Sequence, residues 1–291
     1  MGAAKTSEKM KWSQPGAELF VPDHSPIEIA LTRTTHLGIG AHPDDLEFMA
    51  WKPILECREN PDNWFTGVTV TDGSGYPQDK EPASHSADQI CGLRRAEQNQ
   101  AATRGKYGAM IHLSFSSKAV KQPENSNLVG DLKEILCATS PKWIFTHNPA
   151  DKHETHVALC IAVIDAIREL PAAKRPEALY GCEVWRGLDW MMDEDKVIFD
   201  VSGDENFMQS LMSVYSSQIR GKRYDEATLG RKRANATYFS AREADRCTTM
   251  EYAMNLTPLI QNDGLKIQEY VAGFIRRLQD DVLSRINRFA P

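Results

Sequence analysis

Four short apolar runs, each stopped by a polar turn and followed by a helical pattern, constrain this chain more than any other feature. The runs are His36 to Ala41, Phe65 to Thr71, Met110 to Phe115 and Trp143 to His147. Their length and β-branched content read as strands. Between them, Phe48 to Cys57 reads as a helix limited by Pro53. Ala87 to Lys106 and Leu128 to Cys137 also read as helices. Asp151 to Leu170 carries Val157, Ile161, Ile164 and Ile167 at three- and four-residue steps, a helical period. Strands alternating with helices predict βαβ units. The fold class is therefore α/β, a doubly wound, mainly parallel, Rossmann-like sheet covered on both faces. In the common 3-2-1-4 strand order the first and fourth strands are neighbours. Their C-terminal ends then flank the switch point where such sheets hold ligands.

Residues 1–34, broken by Pro15, Pro22 and Pro26, read as an irregular lead-in. Residues 35–291 read as a single α/β domain with C-terminal strand and helix elaborations. There, Ala178 to Trp185 and Val197 to Val201 predict strands, and Asn206 to Gln218 a helix. Lys266 to Phe289 predicts a long amphipathic helix, with Ile267, Val271, Phe274, Ile275, Leu278, Val282 and Ile286 on one stripe. That stripe reads as core packing.

Composition removes several classes of partner. With 34 Lys and Arg against 40 Asp and Glu the net charge is −6, and no basic stretch is sustained. Neither nucleic acid nor an anionic membrane is an expected partner. No window reaches the ~18 consecutive apolar residues of a membrane helix. The first twenty residues are polar and lack the apolar run of a secretory signal. The cysteines, Cys57, Cys91, Cys137, Cys160, Cys182 and Cys247, form no CxxC pair and read as reduced thiols. A cytoplasmic location is the expectation. The short basic runs at 220–224 and 231–233 read as solvated helix faces, although a phosphate-bearing substrate fits them.

Two motifs carry chemistry. His42-Pro43-Asp44-Asp45 ends the first strand and sets two carboxylates beside an imidazole. Such a cluster repels itself unless a positive group offsets it, but by itself it also fits a turn with an Asp cap. Asp151-Lys152-His153-Glu154-Thr155-His156 follows the fourth strand. Asp151 and Glu154 have capping-box spacing, and His153 and His156 share one face of the first turn. A helix N-terminus keeps an imidazole neutral and able to bind metal. Alone, this too fits two surface histidines near a cap. Together the motifs meet at one sheet edge and match a catalytic zinc site, with three N or O ligands and one open position. His42, Asp45 and His156 supply the ligands. Asp44 is the candidate general base. His153 is placed to stabilise the oxyanion or protonate the leaving nitrogen.

This pattern resembles the PIG-L/LmbE-like family of zinc-dependent N-acetylglucosamine deacetylases. The matching segments are Ala41 to Asp45, Thr71-Asp72-Gly73, Leu93 to Glu97, and Phe145 to His156, with a weaker echo at Tyr215 to Gln218. The resemblance implies that His42, Asp45 and His156 are metal ligands, Asp44 the base, and His153 its acid or electrostatic partner, oriented by Asp151. It places Arg94 near substrate hydroxyls or phosphate. It implies Zn2+, with Fe2+ or another divalent ion as an alternative on such donors. There are departures. Thr155 stands where the family often has Asp, Leu113 to Ser117 lacks the family's hydroxyl-holding Asp, and Tyr215 replaces a His. The segment from Trp185 to Met192 is untypical.

His147, at a strand tip, is a further candidate for substrate binding or for supporting the site, and Asp72 for substrate contact or turn capping. His85 reads as exposed. Trp185, Trp190 and Tyr180 are candidates for sugar stacking or simply buried aromatics. The expected activity is removal of an acetyl group from a small N-acetylated amino sugar or glycoconjugate, through attack of zinc-bound water on the amide. The alternatives are a hydrolase of a non-sugar amide on the same metal, and a non-catalytic sugar- or nucleotide-binding module. A homo-oligomer is compatible with the sequence.

Overall fold

A computed structural model describes residues 10–75, 86–122 and 125–290. Its strands are β1 (Glu18–Phe20), β2 (His36–Gly40), β3 (Phe65–Thr71), β4 (Ala109–Phe115), β5 (Trp143–His147), β6 (Ala178–Cys182), β7 (Lys196–Asp200) and β8 (Met250–Asn255). They form one sheet in the order β1-β4-β3-β2-β5-β6-β8-β7. The contiguous strands β4, β3, β2, β5 and β6 are parallel, while β1 and β8 pair antiparallel to their inner neighbours. The expected order is present: the four predicted strands stand as β4-β3-β2-β5, so β2 and β5 are neighbours.

β2 and β3 are buried along their whole length, as parallel strands covered on both faces must be. Their glycines let side chains press close. A Cβ on Gly38 would lie 2.5 Å from the Phe65 ring, and one on Gly67 2.8 Å from Leu46 and from Met110. Leu46 is thus seated directly on the sheet, which fixes the loop just before it, the loop that carries Asp44 and Asp45.

Several expectations need correction. The predicted helix from Phe48 is two helices, Asp45–Met49 and Trp51–Glu59, broken at Ala50. Pro53 lies in the first turn of the second, where its missing N–H costs nothing. Within residues 10–34, read as irregular, β1 extends the sheet edge and Ile27–Thr32 is helical. The helix predicted over 206–218 is divided into Glu205–Met212 and Ser216–Ile219. β8 had no sequence signal, because its Glu251 interrupts the pattern; that side chain is buried because Lys232 pairs with it at 2.5 Å and the Trp51 and Lys52 N–H groups donate to it, each at 2.9 Å. The terminal helix Ile267–Phe289 is real but is not core. Phe274 alone is buried, while Ile275, Val282, Leu283, Ile286 and Phe289 are exposed. Among the described residues no helix is long and apolar enough to cross a membrane. His85 lies outside the described residues.

Candidate active site

The site is built at the C-terminal ends of β2 and β5. The chain leaves β2 through His42 and Pro43, and Asp44 takes a left-handed backbone conformation with φ 96°. Asp tolerates that region better than most residues, and here the turn is held from outside. The Asp44 N–H donates to Gln98 Oε1 at 3.2 Å, and Gln218 Nε2 donates to the Pro43 carbonyl at 2.9 Å. Asp45 Oδ2 accepts from the His42 N–H at 2.7 Å, which closes the turn.

From β5 the chain runs through Asn148 to the helix Glu154–Arg168. His156, in its first turn, is fully buried and points at the β2 loop. Its Nε2 lies 3.1 Å from His42 Nδ1 and 3.4 Å from Asp45 Oδ2, and His42 Nδ1 lies 3.3 Å from the same oxygen. Three potential donor atoms converge in a near-equilateral triangle. Burial pushes the His156 pKa down to about 4, so its ring is neutral near pH 7. Burial opposes ionisation of Asp45 too, but the imidazoles of His156 and His147 outweigh it and hold the carboxyl well below its usual range. With each imidazole in the tautomer that carries its proton on the other ring nitrogen, the cluster turns three lone pairs toward one point, as a cation requires. For a tetrahedral zinc with ligand bonds near 2.0–2.1 Å, neighbouring donors stand about 3.3 Å apart. The observed triangle meets that spacing, so the residues fit the metal implied by the resemblance.

Asp44 and His153 flank the triangle. The His153 ring is 4.8 Å from that of His42 and 4.6 Å from that of His156, centroid to centroid. Burial lowers the His153 pKa. Burial, reinforced by the charge of Asp45, pushes the Asp44 pKa well above the carboxylate range. Both line a pocket of about 780 Å³, with His42 and Asp45 on its floor. Arg94 also lines it and hydrogen-bonds the Gly73 carbonyl.

The expected role of Asp151 is corrected, and His147 and Asp72 take the second of the two roles the sequence left open to each. Asp151 does not orient the His153 ring or cap the helix with its side chain. Its Oδ1 accepts from the His153 backbone N–H at 2.9 Å and faces His156 Nδ1 at 3.7 Å, so the ring it steadies is that of His156. His147 is not in the pocket. It is fully buried and stacked on His156 at 3.7 Å, and its Nε2 accepts from the Ala41 N–H at 2.9 Å. That lone pair is therefore engaged, and His147 wedges the ligand ring from behind. Asp72 is a turn residue: its Oδ1 accepts from the N–H and hydroxyl of Ser74 at 2.9 and 2.7 Å.

Of the further positions around the site, Trp185, the 220–224 run and the Tyr215 to Gln218 echo had a sequence signal, and Phe48 had none as a site residue. Phe48, Trp185, Lys222 and Tyr224 form pocket walls. Of the three candidate stacking aromatics, only Trp185 reaches the pocket; Tyr180 and Trp190 do not. Glu47 accepts from Tyr215 Oη at 2.5 Å, Tyr107 Oη at 2.7 Å and Gln98 Nε2 at 3.0 Å, and so anchors the residue that holds Asp44. Glu97 accepts from the Ser217 N–H at 2.8 Å and from its hydroxyl at 2.6 Å. The Tyr215 to Gln218 echo is thus a clamp over the loop at Pro43 and Asp44.

Residues 37–167 match the family model described as PIG-L: GlcNAc-PI de-N-acetylase. That match spans a little under half of the chain. A relative from Escherichia coli K12, described as the uncharacterized deacetylase YaiS, is 25% identical over 158 residues, 52% of this chain and 77% of its own. Among solved structures, N,N'-diacetylchitobiose deacetylase from Pyrococcus horikoshii superposes with a TM-score of 0.61 at 17% identity, covering 83% of this chain and 90% of that one. GalB, a 4-carboxy-2-hydroxymuconate hydratase from Pseudomonas putida KT2440, also gives 0.61, at 14% identity, covering 77% and 96%. At such identities the likeness is one of fold, and that fold serves both a deacetylase and a hydratase, so the reaction has to be argued from the site. Over residues 37–167 the chain is similar to the PIG-L deacetylases.

Proposed function

We infer that this protein is a metal-dependent amidohydrolase that removes an acetyl group from an N-acetylated amino sugar or glycoconjugate. One observation carries the reading: His42, Asp45 and the fully buried His156 offer three donor atoms 3.1–3.4 Å apart, and His42 and Asp45 line a pocket with Asp44 and His153. A divalent ion held there, zinc being the best match to the donor set, supplies Lewis-acid polarisation of the amide and acidifies water.

The side chains divide the remaining work. Asp44, buried and with raised proton affinity, takes the proton of the attacking water. His153, neutral and directed into the pocket, donates to the carbonyl oxygen as charge develops there. The proton held on Asp44 then passes to the departing nitrogen, so the amine leaves neutral. Phe48, Trp185 and Tyr224 offer apolar faces to a sugar ring. The pocket is far larger than an acetyl group needs, which supports a substrate with a sizeable body beyond the amide.

The test is metal analysis of the purified protein, with free-amine release measured over a panel of N-acetylated sugars and simple N-acetyl amides. Release from the sugars with about one divalent ion bound per chain supports the reading. Release from non-sugar amides alone favours the second reading, an amidase on the same metal. That reading draws on Ser116, which stands after β4 where a hydroxyl-holding Asp is expected and uses its side chain to accept from the Ala119 N–H at 3.1 Å. Absence of any amine release, with metal bound, overturns both.

A further inference from the structure

We propose that the pocket carries a subsite, centred on Lys222 and Trp185, for an acidic substituent, a phosphate ester or a carboxylate, on the acylated sugar. This deepens the deacetylase reading and rests on it. The chain is acidic overall, at −6, yet the pocket is not. Its lining has the cations Arg94, Lys121, Lys222, Arg223, Arg231 and Lys232 against the carboxylates Asp44, Asp45 and Glu183.

Most of these cations already have work inside the fold. Lys232 pairs with Glu251 at 2.5 Å, Arg231 hydrogen-bonds the Val184 carbonyl, Lys121 meets Glu154 at 3.4 Å, and Arg223 is held by Asp225 and Glu226 at 3.1 and 2.7 Å. Arg94 is buried and reaches the Gly73 carbonyl. Lys222 differs. Among the described residues no carboxylate pairs with it, and its ammonium lies 4.6 Å from the centre of the Trp185 ring. That contact to the electron-rich indole face holds a flexible side chain over the pocket without neutralising it. Trp185 in turn is braced edge-on by Tyr224 at 5.7 Å, and its ring centre is 6.3 Å from that of His153.

The ammonium and the His153 ring thus both lie against Trp185, 4.6 and 6.3 Å from its ring centre, so one sugar ring at Trp185 is near both groups. A hexosamine whose acetamido group meets Asp44 and His153 carries its far substituents toward Lys222. A neutral hydroxyl there gains little from an ammonium, whereas an anionic oxygen gains a charge-assisted bond in a partly desolvated pocket. Trp185 and Lys222 both lie outside residues 37–167, the stretch matched by the family model, so that match does not account for them.

The experiment compares kcat/KM for N-acetylglucosamine, its 1-phosphate, its 6-phosphate and N-acetylmuramic acid, with the metal-loaded full chain. Calorimetric binding of glucosamine and glucosamine 6-phosphate provides a readout that needs no turnover. One acidic sugar should be preferred over the neutral one about tenfold or more, roughly what one well-placed charge pair contributes. The arms separate phosphate from carboxylate. Lys222→Ala and Lys222→Gln should shrink that preference about tenfold, mainly in KM, and Lys222→Arg should keep it. Added salt should erode the preference in the wild type. Equal treatment of acidic and neutral sugars, or a preference that survives Lys222→Ala, overturns the subsite. If no N-acetyl sugar releases amine, the deacetylase reading fails, and the binding arm still decides the subsite: glucosamine 6-phosphate no tighter than glucosamine overturns it.

Discussion

Gln218 donates its side-chain amide to the carbonyl oxygen of Pro43 at 2.9 Å, across 175 residues of sequence. The bond fastens the helix Ser216–Ile219 to the loop that turns Asp44 into the pocket. A strained loop beside a cluster of like charges needs such external ties.

Gln218→Ala removes the tie and leaves a buried carbonyl unpaired. The expected cost is about 1–3 kcal/mol of stability. A misplaced Asp44 should also lower kcat about tenfold or more. Denaturant melts and steady-state kinetics on the same preparation check this. Unchanged kcat would mean that the loop holds its shape without Gln218.

The ligand triangle and the base should separate cleanly. Asp44→Ala should lower turnover by about 10²–10⁴-fold while the bound metal stays near wild type. His156→Ala should lose both. Asp151→Asn weakens the acceptor facing His156 Nδ1 and should lower metal affinity about 10–100-fold. Metal content by elemental analysis and competition with a chelator, read beside activity, distinguish the three.

Acid should destabilise the fold through two histidines far from the metal cluster. Burial depresses His36 to about 4 and His112 to about 3, while the same groups in the unfolded chain titrate near 6.5. The unfolded state therefore binds more protons below pH 6.5. The stability tied to neutral rings is complete above that pH and is lost as pH falls toward 4 and 3. The loss is roughly 2–3 kcal/mol for each ring by pH 4. Denaturant unfolding at pH 7 and 4.5 should show a shallower acid decline in His112→Gln than in the wild type. An identical decline would remove His112 from the account.

The end of the terminal helix should be dispensable for folding. From Gln279 to Ala290 every residue is exposed except Asp281, which is only partly covered. A chain ending at Leu278 should keep its melting temperature within about 2–4 °C, the change expected for a ΔΔG near 1 kcal/mol, and should keep its turnover. A large drop in melting temperature would restore the core-packing reading of that stripe.

The sequence by itself determined the α/β class, the four-strand order that makes β2 and β5 neighbours, and the meeting of His42, Asp45 and His156 at their tips. These follow from periodicity and chain connectivity, which act over a few residues and leave few topologies open. Tertiary structure decided the rest. It buried His147 behind His156, turned Asp151 toward His156, and left Ile275, Val282 and Ile286 of the terminal-helix stripe facing solvent. It also brought Trp185, Lys222 and Tyr224 to the pocket and Tyr215 to Gln218 over the loop. Those outcomes depend on how separate elements pack, and a side chain's partners across a hundred residues leave no period or motif in the sequence to read.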